Sequence, residues 1–211
     1  MAREVDADLQ AVDGLAHSSH SASGGQRDML ERPWCRALAR RLRQLPALEG
    51  LIPATAVAVQ CTYFEKTPGR NWLVPLHQDL SIPVAERVDA QDLQGWSNKH
   101  GTLFVQPPAS LLQTLLAVRL HLDPCHAADG PLRVVPASHT HGVLTADRAT
   151  ALRAALGDAA CHADAGTALV LRPLLLHASS KASGTSRRRV LHFVFGPAQL
   201  PWGLRWPSTV A

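Results

Sequence analysis

Trp72-Leu73-Val74-Pro75-Leu76-His77-Gln78-Asp79 is an apolar, extended run that ends in a His-x-Asp. On a strand, residues i and i+2 share a face, so His77 and Asp79 converge while Gln78 points away. A second run, Leu174-Leu175-Leu176, leads into His177 and is read as a strand that this histidine ends. Two imidazoles and one carboxylate on one face form the donor set that holds Fe(II) while leaving other coordination positions open. Eleven residues after His177, past a loop over 180–186, stands Arg188 in the cluster Arg187-Arg188-Arg189. It can therefore return on the adjacent antiparallel strand. There its planar fork would grip the far carboxylate of a dicarboxylate cosubstrate bidentately. Arg188, Val190, His192 and Val194 share one face of that strand; Arg187, Arg189, Leu191 and Phe193 share the other.

Outward from these stretches the chain reads as many short strands. Thr55 to Phe64 alternates, with Val57, Val59, Cys61 and Tyr63 on one face. Further strands are expected at 113–122, 131–135, 167–171, 174–177 and 188–195. Pro33 opens a helix to about Leu45, and Thr145 caps another over 146–156 that Gly157 ends. Glu65 to Arg70 reads as a turn-rich loop, and 83–101 as polar and irregular with a functional loop around Trp96. Closely spaced strands without a βαβ rhythm point to a mainly β, double-sheet barrel of the jelly-roll or cupin-like kind with flanking helices.

The 211 residues fit a single domain, 1–211, with barrel core at about 54–196. Residues 14–28, rich in Ser, Gly and His, are expected to form a mobile segment or lid, with no specific role for His17 and His20. The net charge of +4 is mild. The densest basic run, Arg36, Arg40, Arg41 and Arg43, lies opposite Trp34, Leu38, Leu42 and Leu45 on the helix. It reads as a solvated face, so no nucleic-acid partner is expected. Cys35, Cys61, Cys125 and Cys161 show neither zinc nor disulfide spacing and are expected as buried free thiols. Early acids (Glu4, Asp6, Asp8) without an apolar core argue against a signal peptide, and no run approaches a membrane span. A cytoplasmic monomer or homodimer is the expectation.

Among 11 histidines an isolated His-x-Asp is a weak signal. His162-Ala163-Asp164 is a second one, and His139-Thr140-His141 a rival ligand pair, in a loop that lacks a placed carboxylate. Ser138 and His139 are read as loop-structuring. His121, His126 and His192 have no evident partner, and His192 is expected in the interior.

The chain resembles the phytanoyl-CoA dioxygenase family of Fe(II)/2-oxoglutarate oxygenases. The resemblance rests on Tyr63-Phe-Glu-Lys-Thr-Pro-Gly-Arg-Asn-Trp-Leu-Val-Pro-Leu-His-Gln-Asp79, on Val118-Arg-Leu-His-Leu-Asp123 through Gly130-Pro-Leu-Arg-Val-Val-Pro-Ala-Ser-His139, and on His177-Ala-Ser-Ser-Lys181 through Arg188-Arg-Val-Leu-His-Phe193. It implies a double-stranded β-helix, with His77, Asp79 and His177 as iron ligands. By the same resemblance Arg188 holds the distal carboxylate of 2-oxoglutarate, Ser179 assists it, and Gln60 lies near the cosubstrate. The implied reaction is hydroxylation of a C–H bond of a small molecule, using O2, releasing succinate and CO2, with ascorbate as reductant. The alternative is a non-catalytic metal- or ligand-binding barrel of the same fold; a third reading is a cupin-like metal protein using His139 and His141. This sequence departs from the family pattern at Ala137, where Gly is common, at Leu76, where Trp is common, and at Lys181 to Gly184, which lack the usual Asn. With Asp79 present a halide has no vacant ligand position, which disfavours halogenation. Trp72, Trp96 and Gln106 are expected near the substrate entrance, and no CoA thioester is implied.

Overall fold

The structure, a computed structural model, describes residues 25–211. Two four-stranded antiparallel sheets form the body. One has the order β1 (Ala56–Lys66), β11 (Arg188–Pro197), β6 (Leu116–His121), β9 (Ala168–Leu171). The other has the order β2 (Val74–His77), β10 (His177–Ser179), β7 (Leu132–Val134), β8 (Ala159–Cys161). A three-stranded sheet, β3 (Ile82–Val84), β5 (Thr102–Gln106), β4 (Gln94–Lys99), stands beside them. This is the expected mainly β, double-stranded β-helix architecture.

Helix α1 (Pro33–Gln44) starts at its proline and buries Cys35, Leu38, Ala39 and Leu42, the i, i+3, i+4, i+7 stripe of an amphipathic helix. That stripe packs on one face of β1, β11 and β6 in the largest apolar cluster. The arginines opposite are less detached than a solvated face implies. The Arg36 guanidinium donates to Ser208 Oγ (3.4 Å) and Thr209 O (3.3 Å), and Arg43 donates to Ala54 O (2.9 Å). The tail packs as expected, with Leu204 and Trp206 buried in the second apolar cluster. All four cysteines are free, and Cys35, Cys61 and Cys125 are buried.

Several expectations need correcting. In β1, Ala58 pairs with Phe195 and Gln60 with Val194, so Val59 is an extra bulged residue. The bulge splits the predicted face. Val57 and Val59 join one apolar cluster, whereas Cys61 and Tyr63 join the other. Gln60, Thr62 and Phe64 then line the barrel interior with Val59. β1 also continues through Lys66, which the turn-rich reading left in a loop. Residues 85–93 are irregular as expected, but the flanks of that stretch belong to β3 and to β4, which carries Trp96, and β4 turns into β5 through His100 (φ 53°) and Gly101 (φ 83°), a two-residue hairpin of the positive-φ kind. Leu174 to Leu176 is a buried turn, so His177 begins its strand instead of ending it. The strand expected from Gln113 starts at Leu116, after helix α2 (Ala109–Leu112). Helix α3 (Ala146–Leu156) has the expected Thr145 cap, accepting from Arg148 N at 3.4 Å.

Of the segment expected to be mobile, residues 14–24, with His17 and His20, lie outside the described residues. Gln26 exchanges two main-chain hydrogen bonds with Tyr63 (2.9 and 2.7 Å), so the end of that segment is tied to β1. Among the described residues no helix is long and apolar enough to cross a membrane.

Candidate metal centre and its cavity

β2 and β10 pair antiparallel with His77 directly opposite His177, which brings the two rings to 4.2 Å between centroids. Asp79 lies just beyond β2, its amide donating to Pro173 O at 2.9 Å. Its carboxylate oxygens stand 3.7 Å from His77 Nε2 and 3.8 Å from His177 Nε2. Those separations are too long for hydrogen bonds, yet all three donor groups lie within 4.8 Å of one another. Each ring's other nitrogen is engaged: His77 Nδ1 lies 2.8 Å from Pro75 O, and His177 Nδ1 2.8 Å from Leu175 O. An Nδ1–H donated to a carbonyl fixes the tautomer and leaves the Nε2 lone pair facing the common point, the arrangement metal-ligating histidines use.

The protonation states fit the same use. Burial alone would push the Asp79 carboxyl up, but the charges of His177, His192, His77 and Arg119 outweigh it and hold it below its ordinary value. The Asp79 side chain is 43% exposed, and that exposure opens into the cavity it lines. Burial holds His177 below its usual value despite Asp79. An ionised carboxylate and a neutral imidazole are what a divalent cation binds.

Gln78 points away from these ligands as expected. Its Nε2 donates to Gly142 O (2.8 Å) and Leu174 O (2.7 Å), and its Oε1 accepts from Leu144 N (2.8 Å). Ser138 structures the opposite loop, its Oγ accepting from Leu176 N at 2.8 Å. Among the described residues only His77, Asp79 and His177 gather three ligand atoms. His162 and Asp164 are exposed, and His139 and His141 lie on a 3-10 turn, Ser138–His141.

Beside the triad is a cavity of about 550 Å³, which His177, Ser179, Gln60 and Arg188 also line. Arg188 is 3% exposed and its Nη1 donates to Gly130 O at 2.6 Å. Ser179 Oγ donates to the same carbonyl at 3.1 Å. Gly130 has φ +62°, and a Cβ there would meet Ser180 O at 2.5 Å, so this junction requires glycine. Gln60 Nε2 donates to Thr62 Oγ1 at 2.9 Å. Of the neighbouring arginines, Arg189 faces away and binds Asp123 bidentately (2.7 and 2.9 Å), and Arg187 is exposed.

Two functional candidates escaped the sequence reading. Lys66 pairs with Arg188 across β1 and β11, is 1% exposed, and donates to Ser179 Oγ (2.8 Å) and Ser180 O (2.6 Å). Arg119 on β6 sits opposite His192, is 7% exposed and lines the cavity. Its Nε, like that of Arg188, lacks a partner among the described residues. Burial, then Arg188 and Arg119, lowers Lys66 to about 8; burial, then Arg188, lowers Arg119 to about 10. Both had a signal. Lys66 keeps the alternation of Gln60, Thr62 and Phe64, and Arg119 interrupts an otherwise apolar strand. Three cations crowded in the interior are costly without an anion among them. His192, expected inside, is there, pushed down to about 4 by burial first, with Arg119 and His177 adding to it.

The fold is a double-stranded β-helix in which His77, Asp79 and His177 converge beside the buried cations Lys66, Arg119 and Arg188. The chain belongs to the phytanoyl-CoA dioxygenase (PhyH) family, whose pattern it matches over residues 3–190. No protein of curated function matches it in sequence. Its structure is similar to SnoK, a non-heme alpha-ketoglutarate-dependent carbocyclase from nogalamycin biosynthesis, at 15% identity and TM-score 0.65, covering 93% of this chain and 76% of SnoK. It is also similar to HygX from Streptomyces hygroscopicus with nickel and 2-oxoglutarate bound, at 16% identity and TM-score 0.55, covering 93% and 78%. EvdMO1 matches at 19% identity and TM-score 0.53 over 82% of this chain. The chain spans 32% of EvdMO1 and 62% of AviO1 from Streptomyces viridochromogenes Tue57. At these identities the likeness is one of fold.

Proposed function

We propose that the protein is an Fe(II)- and 2-oxoglutarate-dependent oxygenase that hydroxylates a C–H bond of a small molecule. The observation that carries this is the pair of features at one cavity: three convergent ligand atoms with both Nδ1 positions engaged, and buried cations that form no salt bridge among the described residues. Family membership, and a similar fold that in HygX is solved with nickel and 2-oxoglutarate, support it.

In this reading His77, Asp79 and His177 hold the iron. Arg188 and Lys66 neutralise the distal carboxylate of 2-oxoglutarate, and Ser179, already bonded to Lys66, presents its hydroxyl beside them. Gln60 and Thr62 border the cosubstrate, and Arg119 adds positive potential between floor and metal. Bound iron with 2-oxoglutarate and O2 supplies the oxidising power, so that R–H, 2-oxoglutarate and O2 give R–OH, succinate and CO2. The protein's own share is to orient the ligands and exclude water, and ascorbate serves as reductant between turnovers. Asp79 fills the position a halide would need, which favours hydroxylation over halogenation.

The test is anaerobic Fe(II) titration followed by succinate release on adding O2 and 2-oxoglutarate. The wild-type protein is expected to bind one iron and to form succinate slowly even without substrate. The His77→Ala/Asp79→Ala protein should do neither. Iron-dependent succinate formation that persists in that double variant would sink the ligand assignment.

A further inference from the structure

The cavity is more positive than a metal and a cosubstrate require. Among the described residues that line it, Arg27, Lys99, Arg119 and Arg188 stand against a single carboxylate, Asp79. This inference rests on the oxygenase reading, in which Fe(II) and the 2-oxoglutarate dianion cancel each other. Asp79 then offsets one cation and three remain. Arg188 and Arg119 are deep, at 3% and 7% exposure. Arg27 and Lys99 are half-buried at the rim and come from different parts of the chain. Arg27 follows the residue that bonds to Tyr63 in β1; Lys99 ends β4, next to the His100-Gly101 turn. Neither has a carboxylate partner among the described residues. The Lys99 ammonium lies 4.6 Å from the centre of the Phe104 ring, a cation-π contact that holds it against the wall. Burial and the nearby Arg27 hold Lys99 below its ordinary value, while Asp79 draws it back up, so the amine feels both the second cation and the metal site. Two like charges facing one cavity are unfavourable until an anion enters between them.

We infer that Arg27 and Lys99 form a rim site for an oxyanion carried by the substrate, so that the substrate is a small organic acid or phosphate ester with its reactive carbon directed inward to the triad. A cavity of about 550 Å³ lies within the usual range for small-molecule sites. The two cations hold one end of the molecule and thereby select which carbon reaches the metal.

Matched probes test this: phenylacetate against phenylacetamide, and phenyl phosphate against phenol. Each is titrated anaerobically into protein saturated with Fe(II) and 2-oxoglutarate, with binding read by ligand NMR relaxation. At least one acid should bind about tenfold or more tightly than its neutral partner, as expected for a charge-assisted contact. Comparing the two pairs shows whether carboxylate or phosphate is preferred. The preference should vanish in Arg27→Gln/Lys99→Gln and survive in the charge-conserving Arg27→Lys/Lys99→Arg, with unchanged circular dichroism in both. Equal binding of acids and neutral partners, no binding of either acid, or a preference that persists in the glutamine variant would each overturn the inference. The shift in melting temperature on adding 2-oxoglutarate is measured in parallel. Its absence, with acid preference intact, removes the cosubstrate reading and leaves the rim site standing.

Discussion

Gln78 is flanked by two proposed ligands and touches neither. It closes three backbone groups of other segments, the carbonyls of Gly142 and Leu174 and the amide of Leu144. Replacing it with Leu keeps the volume and strands those groups. A buried unsatisfied group costs about 1–3 kcal/mol; only the bond to Leu174 O is fully buried and the other two are part-buried, so Gln78→Leu is expected to lose about 2–4 kcal/mol in urea unfolding. Gln78→Glu should be worse, because a carboxylate would face two carbonyl oxygens. A stability unchanged in both variants would show that the loop at 142–144 is held by other means. The convergence of His77 and Asp79 was legible because parity on an extended run is a local property. Arg119 was not, because its significance lies in what fails to face it, and that depends on which strands become neighbours.

At the level of elements, the bulge at Val59 explains the largest misreading. An unbroken alternation would have put Val57, Val59, Cys61 and Tyr63 on one face. One extra residue reassigns the second half of the strand, so that Thr62 and Phe64 line the cavity and Lys66, at the same parity, is buried. Bulges are set by pairing with a partner strand, here β11, and leave no composition signal. The three-stranded sheet of β3 to β5 was missed for a related reason: its strands are short and its exposed faces polar, so neither period stands out. The Asp123–Arg189 pair locks the start of β11 to the end of β6, with Arg189 7% and Asp123 17% exposed in their side chains. Asp123→Ala removes the carboxylate from a buried guanidinium and should cost about 3–5 kcal/mol. Asp123→Ala/Arg189→Leu should recover part of that loss. Chemical unfolding of the two variants checks both, and a double variant no more stable than the single would contradict this account of the lock.

For the whole molecule, the interior cations link folding to pH. The Lys66 ammonium ordinarily titrates near 10.5 but is lowered to about 8 in the folded chain, chiefly by burial. Between those values the unfolded chain holds the proton and the folded chain does not, so ligand-free stability should rise with pH across that window. An anion on the floor restores the reason to keep the proton. The stabilisation conferred by 2-oxoglutarate is therefore expected to be largest below about pH 8 and to shrink toward pH 10. Melting temperatures with and without 2-oxoglutarate, in the presence of a redox-inert divalent ion, measure this. A ligand-induced shift that is flat over the window would show that Lys66 does not face the anion.

Exposure falls along the cavity, from 43% at the Asp79 side chain and 37% at the His77 side chain to 7% at Arg119 and 3% at Arg188. In kinetic terms that gradient is a queue. On the proposed oxygenase reading, a dianion bound at the bottom would have to arrive before a substrate occupies the rim, and the succinate made from it would depart only after the oxidised product. Depth alone would then set the order of binding and release.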